Sequence, residues 1–248
     1  MAGHNKWSKV KRIKAVVDGK RSKVWQRITR EIMVASRDGG GDPSMNAKLA
    51  AALERARAEN MPKDNMQRAI KRGTGEIAGA DYEELNYEGY APFGIAVFVE
   101  TLTDNSVRTV ADVRHAFNKH GGNLGTTGSV GYLFDHKGII EVSSSAIAHD
   151  DLFELVVDAG ADDLEEEADR YIITTPVEAF GAVQQALTEA DLKPIEANLE
   201  RIPTTTNKLK PEEAVKVMKL IDMLEDYDDV QEVYHTLELD DETLEAIG

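Results

Sequence analysis

Apolar residues recur at helical spacing through the first third of the chain. Val10, Ile13 and Val17 fall at i, i+3 and i+7, and Val24, Ile28 and Ile32 at i, i+4 and i+8, with Trp25 beside the second stripe. The run Gly39-Gly40-Gly41-Asp42-Pro43 ends that helix in a turn. Leu49, Leu53 and Ala56 mark a third helix, closed by Asn60-Met61-Pro62. Met66, Ala69 and Ile70 mark a short fourth one, with Gly73 as its left-handed C′ residue. Residues 73–84 read as a linker.

Beyond the linker the period changes. Leu85–Tyr90 and Gly94–Thr103 read as strands, and Asn105 or Ser106 caps a helix with the stripe Val110, Val113 and Phe117. A Gly-rich run, GGNLGTTGSVG, precedes strand Tyr132–Val142, for which Lys137-Gly138 predicts a turn. Helix His149–Ala159 and strands Asp162–Glu167 and Tyr171–Thr175 follow. Pro176 is expected at the first position of helix Val177–Ala190. In strand Ile195–Ile202, Ile195, Ala197 and Leu199 alternate against Glu196, Asn198 and Glu200. This βαββαβ order is complete over about 70 residues, as in a ferredoxin-like unit. Its flanks, ββα over 85–120 and helix Pro211–Leu224 with strand Val230–Leu239, are too small to bury a core alone. The predicted fold class is therefore α+β: a helical N-terminal domain (1–80) and two α/β domains. One is discontinuous (81–130 plus 204–248), and the other, ferredoxin-like domain (131–203) is inserted into it.

Charge sharpens this division. The 248 residues carry a net charge of −16. Residues 1–80 hold 18 Lys/Arg against 8 Asp/Glu, a net of +10, and residues 81–248 hold 11 against 37, a net of −26. Such asymmetry points to a charged partner for the minority sign. There are no cysteines, which excludes disulfides and thiolate chemistry. No apolar h-region follows the basic start, and the longest apolar run, Ile95–Val99, is too short to span a bilayer. A cytoplasmic protein without membrane contact is expected.

Lys6, Lys9, Lys11, Arg12, Lys14, Lys20, Arg21, Lys23, Arg27 and Arg30 are candidates to neutralise phosphates, with Trp7 among them as a ring able to stack on a base. A second patch comprises Lys63, Arg68, Lys71 and Arg72. Trp25 adjoins the apolar stripe and is expected in the core. Arg108, Arg114, His115 and Lys119 form a modest secondary cluster on one helix, with Asp112 available as a counter-charge. The Gly-rich run is read as a turn, because it follows a helix and precedes a strand, whereas phosphate loops open helices; backbone contact to RNA is the alternative reading. No metal-ligand or catalytic spacing is found among the six histidines, and Thr127 breaks a Gly-x-Ser-x-Gly at Ser129. Neither a catalytic residue, a metal nor a cofactor is expected, and the chain is read as a non-enzyme.

Several blocks together, GHNKWSKVKRIKAVVDGKRSKVWQRITREI, GGGDPSMN, NMPKDNMQRAIKRGTG, NYEGYAPFGIAVFVETLTDNSVRTVADVRHAFNKHGGNLGTTGSVGYLF and DDVQEVYH, closely resemble the YebC/PmpR family. Its mitochondrial members include a translational activator of cytochrome c oxidase. The resemblance implies a three-domain α+β protein with a non-enzymatic role in gene expression. That role is either DNA-binding transcriptional regulation or action on the translating ribosome, with ribosomal RNA and ribosomal proteins as partners. Trp25 stands where the family commonly has Phe, and Ala91 and Phe93 replace two of its usual glycines. Ser106-Val107 replaces a usual Arg-Asn, which weakens the 104–119 helix as a nucleic-acid surface. An adaptor that binds proteins through the acidic domains is a third, distinct reading.

Overall fold

A computed structural model describes residues 21–247. Three helices come first: α1 (Arg21–Gly39), α2 (Ala47–Ala58) and α3 (Lys63–Gly73). The stripe on α1 meets those of the other two in one core of Ile28, Ile32, Met33, Leu49, Leu53, Ala56, Met66 and Ala69. The Val10, Ile13 and Val17 stripe lies outside the described residues. As the glycine run predicts, α1 ends there, with Gly40 left-handed at φ 83°. Asn46 then joins two helix ends. Its buried Nδ2 donates to the carbonyls of Ala35 (2.7 Å) and Gly40 (2.8 Å), while Oδ1 accepts from the amide of Leu49 (3.1 Å) and caps α2. Gly73 is not the left-handed residue expected; Gly75 is, at φ 80°. Gly73 lies inside α3, where a Cβ would sit 2.3 Å from the Met33 carbonyl oxygen and 2.7 Å from Ser36 Cβ. Its role is close approach of α1 to α3.

The chain continues through β1 (Glu83–Tyr90), β2 (Ala96–Thr103), α4 (Ser106–Lys119), β3 (Asn123–Leu124), β4 (Phe134–Ser143) and α5 (His149–Asp158). It then forms β5 (Asp163–Glu167), β6 (Arg170–Pro176), α6 (Phe180–Glu189), β7 (Glu196–Pro203), α7 (Pro211–Glu225), β8 (Val230–His235) and α8 (Asp241–Ile247). The ββα and αβ flanks pair as expected. They share one antiparallel sheet of order β3-β1-β2-β8, with β1 and β2 in register from Glu83↔Thr103 to Tyr90↔Ala96. Helices α4 and α7 bury Val113, Ala116, Phe117, Val217, Ile221 and Leu224 in one core with Val97, Val99, Val230 and Val233. The Asn105 side chain caps α4 by accepting from the Arg108 amide at 3.0 Å.

Residues 134–202 form a separate compact unit, and the described residues on either side of them form the other. Its βαββαβ order and sheet order β5-β6-β4-β7 are those of a ferredoxin-like fold, with Ile140, Val142, Leu152, Val156, Ile173, Val183 and Leu187 packed together. Three local expectations are corrected. Lys137 and Gly138 make no turn; they pair with Pro176 and Thr175 inside β4. Gly138 is there because a Cβ would fall 2.3 Å from the Phe180 ring. Pro176 ends β6 instead of opening a helix, which begins only at Phe180. Strand β7 lies at the sheet edge, so its alternation buries little: Ile195 is 49% and Leu199 36% exposed, while Ile202, on the other face, is buried.

Candidate nucleic-acid interface

Three of the candidate cations on α1 turn inward. Lys23 Nζ donates to the Asp226 carbonyl at 2.9 Å and lies 3.3 Å from its carboxylate. Arg27 donates to the Glu225 carbonyl and Arg30 to that of Asp228. The target is the acidic elbow Glu225-Asp226-Tyr227-Asp228-Asp229, where α7 ends and exposes carbonyls with no helical partner. Cations are favoured at such a helix end. Asp229 is the hub. Its buried carboxylate accepts from Arg108 Nη2 (2.6 Å) and Nε (3.2 Å), Thr109 Oγ1 (2.9 Å) and Thr103 Oγ1 (3.2 Å), with Arg30 Nη2 at 3.6 Å. Burial pushes this carboxyl up, but hydrogen bonds from Arg108 and Thr109 and the charges of Arg108 and Arg30 outweigh it and hold it below its ordinary value. Arg108 also pairs with Asp104 at 3.0 Å. Arg108 thus ties the N-terminus of α4 to the elbow.

The cations on α3 are placed differently. Lys63, Arg68, Lys71 and Arg72 are all exposed and form no ion pair with any described residue. Met66 and Ala69 pin the opposite face of this helix in the core, so the four project outward. Between α1, α3 and the linker runs an open groove of about 1060 Å³, bordered by Trp25, Arg30, Asn65, Arg72 and Tyr82. The Arg30 guanidinium lies 5.5 Å from the centroid of the Tyr82 ring. Trp25 packs against the helical core and donates Nε1–H to the Glu59 carbonyl at 3.0 Å. Lys6, Trp7, Lys9, Lys11, Arg12, Lys14 and Lys20, and the side chain of Arg21, lie outside the described residues.

On α4, Arg114, His115 and Lys119 are exposed. The 3.6-residue period puts His115 and Lys119 on one flank of the buried stripe Val113-Ala116-Phe117 and Arg114 on the other. The Gly-rich run does form a cradle of backbone amides, and the protein fills it itself. The buried carboxylate of Glu88 accepts from the amides of Gly128 (2.7 Å), Val130 (2.7 Å) and Gly131 (2.6 Å). Sequence reasoning found neither Glu88 nor Asp229. The acidic run at 225–229 was the only signal for the second, whose hydrogen-bond partners Thr103, Arg108 and Thr109 lie 120 to 126 residues away. Among the described residues no three His, Asp or Glu side chains converge as metal ligands, and no helix is long and apolar enough to cross a membrane.

The architecture is that of an α+β protein with leading helices and two four-stranded antiparallel sheets, the second in an inserted ferredoxin-like unit. The profile described as "TACO1/YebC protein N-terminal domain" matches residues 5–76, and that described as "TACO1/YebC second and third domain" matches residues 82–237. The chain belongs to the TACO1/YebC family. A probable transcriptional regulatory protein of Thermotoga maritima is 48% identical over 248 residues, covering 100% of this chain and 98% of that one. One of the same description from Chlorobaculum parvum is also 48% identical, covering 100% and 99%. A crystal structure of a conserved hypothetical protein from Aquifex aeolicus superposes with a TM-score of 0.82 at 43% identity, over 93% of this chain and 95% of that one.

Proposed function

We propose that this protein regulates gene expression by binding a nucleic-acid backbone through its basic helical domain, and that it acts by binding and not by turnover. The observation that carries this reading is the exposed cation set Lys63, Arg68, Lys71 and Arg72, without an ion pair to any described residue, in a domain of net +10 attached to a body of net −26. Lysine and arginine clusters attract phosphates and release counterions, which gives affinity without base readout. The regulatory description of the relatives supports a role of this class. Lys6, Lys9, Lys11, Arg12, Lys14, Lys20 and Arg21, with Trp7, add to the basic composition of the same domain and are proposed to share in this binding. Lys23, Arg27 and Arg30 contribute by anchoring α1 to the acidic elbow.

A second reading, RNA within the translating ribosome instead of duplex DNA, is favoured by the charge of the body. A −26 surface is repelled by extended contact with a duplex but complements basic ribosomal proteins. Crosslinking in growing cells, followed by sequencing of the bound nucleic acid, separates the two. Discrete promoter fragments would establish the transcriptional role. Recovery of mainly ribosomal or transfer RNA would replace it with the translational one, and recovery of no nucleic acid would overturn both.

A further inference from the structure

We propose that the discontinuous α/β domain carries a second binding surface of its own, formed by Phe93, His115, Lys119, Lys216 and Lys219, that takes single-stranded nucleic acid. The inference rests on reading the chain as a nucleic-acid binder, and it places a contact on the acidic body where charge alone predicts none.

Helices α4 and α7 pack on one core, and just past α4 a Cβ at Gly121 would lie 3.8 Å from the ring of Pro92, in the turn beside α7. Burial, together with the charges of Lys119, Lys219 and His115, holds His120 below the ordinary histidine value. The C-terminal end of a helix favours cations, and that of α4 accounts for Lys119 and His120 in that way. It does not account for Lys216 and Lys219, which sit mid-helix on α7. Both are exposed, and with His115 and Lys119 they form no ion pair with any described residue. Glu213, three residues before Lys216, is turned to the Lys210 amide instead. In a body of net −26, three exposed lysines and a histidine on two helices of one core, with no ion pair to any described residue, stand out against their surroundings.

Phe93 supplies the second half of the surface. The turn Pro92–Gly94 rests beside α7, with Lys216 Nζ 5.8 Å from the Phe93 ring centroid. Phe93 is 46% exposed and left-handed (φ 64°, ψ 18°), a conformation unfavourable for a bulky side chain. Such a cost is retained where the displayed group has a use. A flat ring at the surface, with Lys216 beside it and further lysines on the same two helices, matches single-stranded nucleic acid: the ring stacks on an unpaired base and the cations follow the phosphates. A duplex offers no unstacked base to the ring, so the surface discriminates against it.

The test uses the full chain and a fluorescein-labelled oligouridine, with thermal unfolding recorded for every variant. Phe93→Gly relieves the left-handed strain, so its melting temperature should rise while its affinity falls about ten-fold, the loss of one stacked base. Phe93→Tyr should keep the affinity. Lys216→Gln with Lys219→Gln should lower the slope of log affinity against log salt by about 1.4, or about 0.7 for each phosphate contact on a single strand. Unchanged affinity and slope in these variants, with binding lost on neutralising Lys63, Arg68, Lys71 and Arg72, would overturn this surface and leave the proposed function standing. Failure of the unmodified chain to bind any nucleic acid would overturn both. Displacement of the oligomer by an acidic peptide, with no effect of Phe93→Gly, would assign the patch to a protein partner and overturn it as well.

Discussion

Asp229→Ala is expected to lower the stability of the larger unit by about 2–4 kcal/mol at neutral pH, because it strips a buried hub of its acceptor. Arg108 loses two charge-assisted hydrogen bonds, and the buried hydroxyls of Thr103 and Thr109 lose their shared partner. Arg30 loses the carboxylate 3.6 Å from its guanidinium, so the tie between α1 and the elbow weakens too. Arg108 is half exposed and can turn to water, which keeps the cost below that of a fully buried pair. Asp229→Asn recovers little, since its amide nitrogen would meet donors. The folded-state pKa of Asp229 lies below its ordinary value of 3.8. Its contribution is therefore fully present above that value and is lost as pH falls through the lower, folded one. Urea unfolding of Asp229→Asn and the unmodified chain should show a gap that is constant from pH 7 to about 5 and closes in stronger acid. A gap under about 0.5 kcal/mol at pH 7 would show that the hub does not hold the unit together.

Glu88→Ala is expected to cost about 3 kcal/mol or more, as three backbone amides lose a shared carboxylate in a buried site. Glu88→Gln keeps one oxygen but sets an NH2 group against amide donors, for a cost of about 2 kcal/mol. Hydrogen exchange localises the effect. Protection should fall at the amides of Gly128, Val130 and Gly131, which donate to Glu88, and stay unchanged across residues 139–143 in the inserted unit. Equal protection at these three amides in both chains would contradict the assignment. Glu88 thus fills the cradle of these three amides from within the chain.

Periodicity made much of this fold legible in the sequence. The Val24-Ile28-Ile32 stripe, the Asn105 cap and the βαββαβ order each follow from local rules, and each agrees with the structure. What escaped depends on neighbours distant in the chain. Gly73 and Gly138 look like turn residues by type, yet both answer to an element that crosses them, Met33–Ser36 in one case and Phe180 in the other. Pro176 suits a helix start and a strand end equally, and only the pairing with Lys137 decides. Edge position, invisible in a single strand, leaves Ile195 and Leu199 exposed. The candidate site divides in the same way. The basic character of α1 and α3 is plain from composition, but Lys23, Arg27 and Arg30 meet the elbow, whereas Lys63, Arg68, Lys71 and Arg72 face outward. No local pattern separates an inward arginine from an outward one when the acid it meets is some 200 residues away.

The central claim is that outward cations of the helical domain grip a nucleic-acid backbone, and the salt dependence of binding tests it most directly. The affinity of the full chain for labelled RNA and duplex DNA should be measured from 50 to 300 mM salt (roughly the range over which counterion release is read), beside a variant carrying Lys63→Gln, Arg68→Gln, Lys71→Gln and Arg72→Gln. The account predicts a steep negative slope for the unmodified chain, reduced in the variant by about 3, near 0.7–0.9 per phosphate contact removed. An unchanged slope in a variant that folds normally would contradict it.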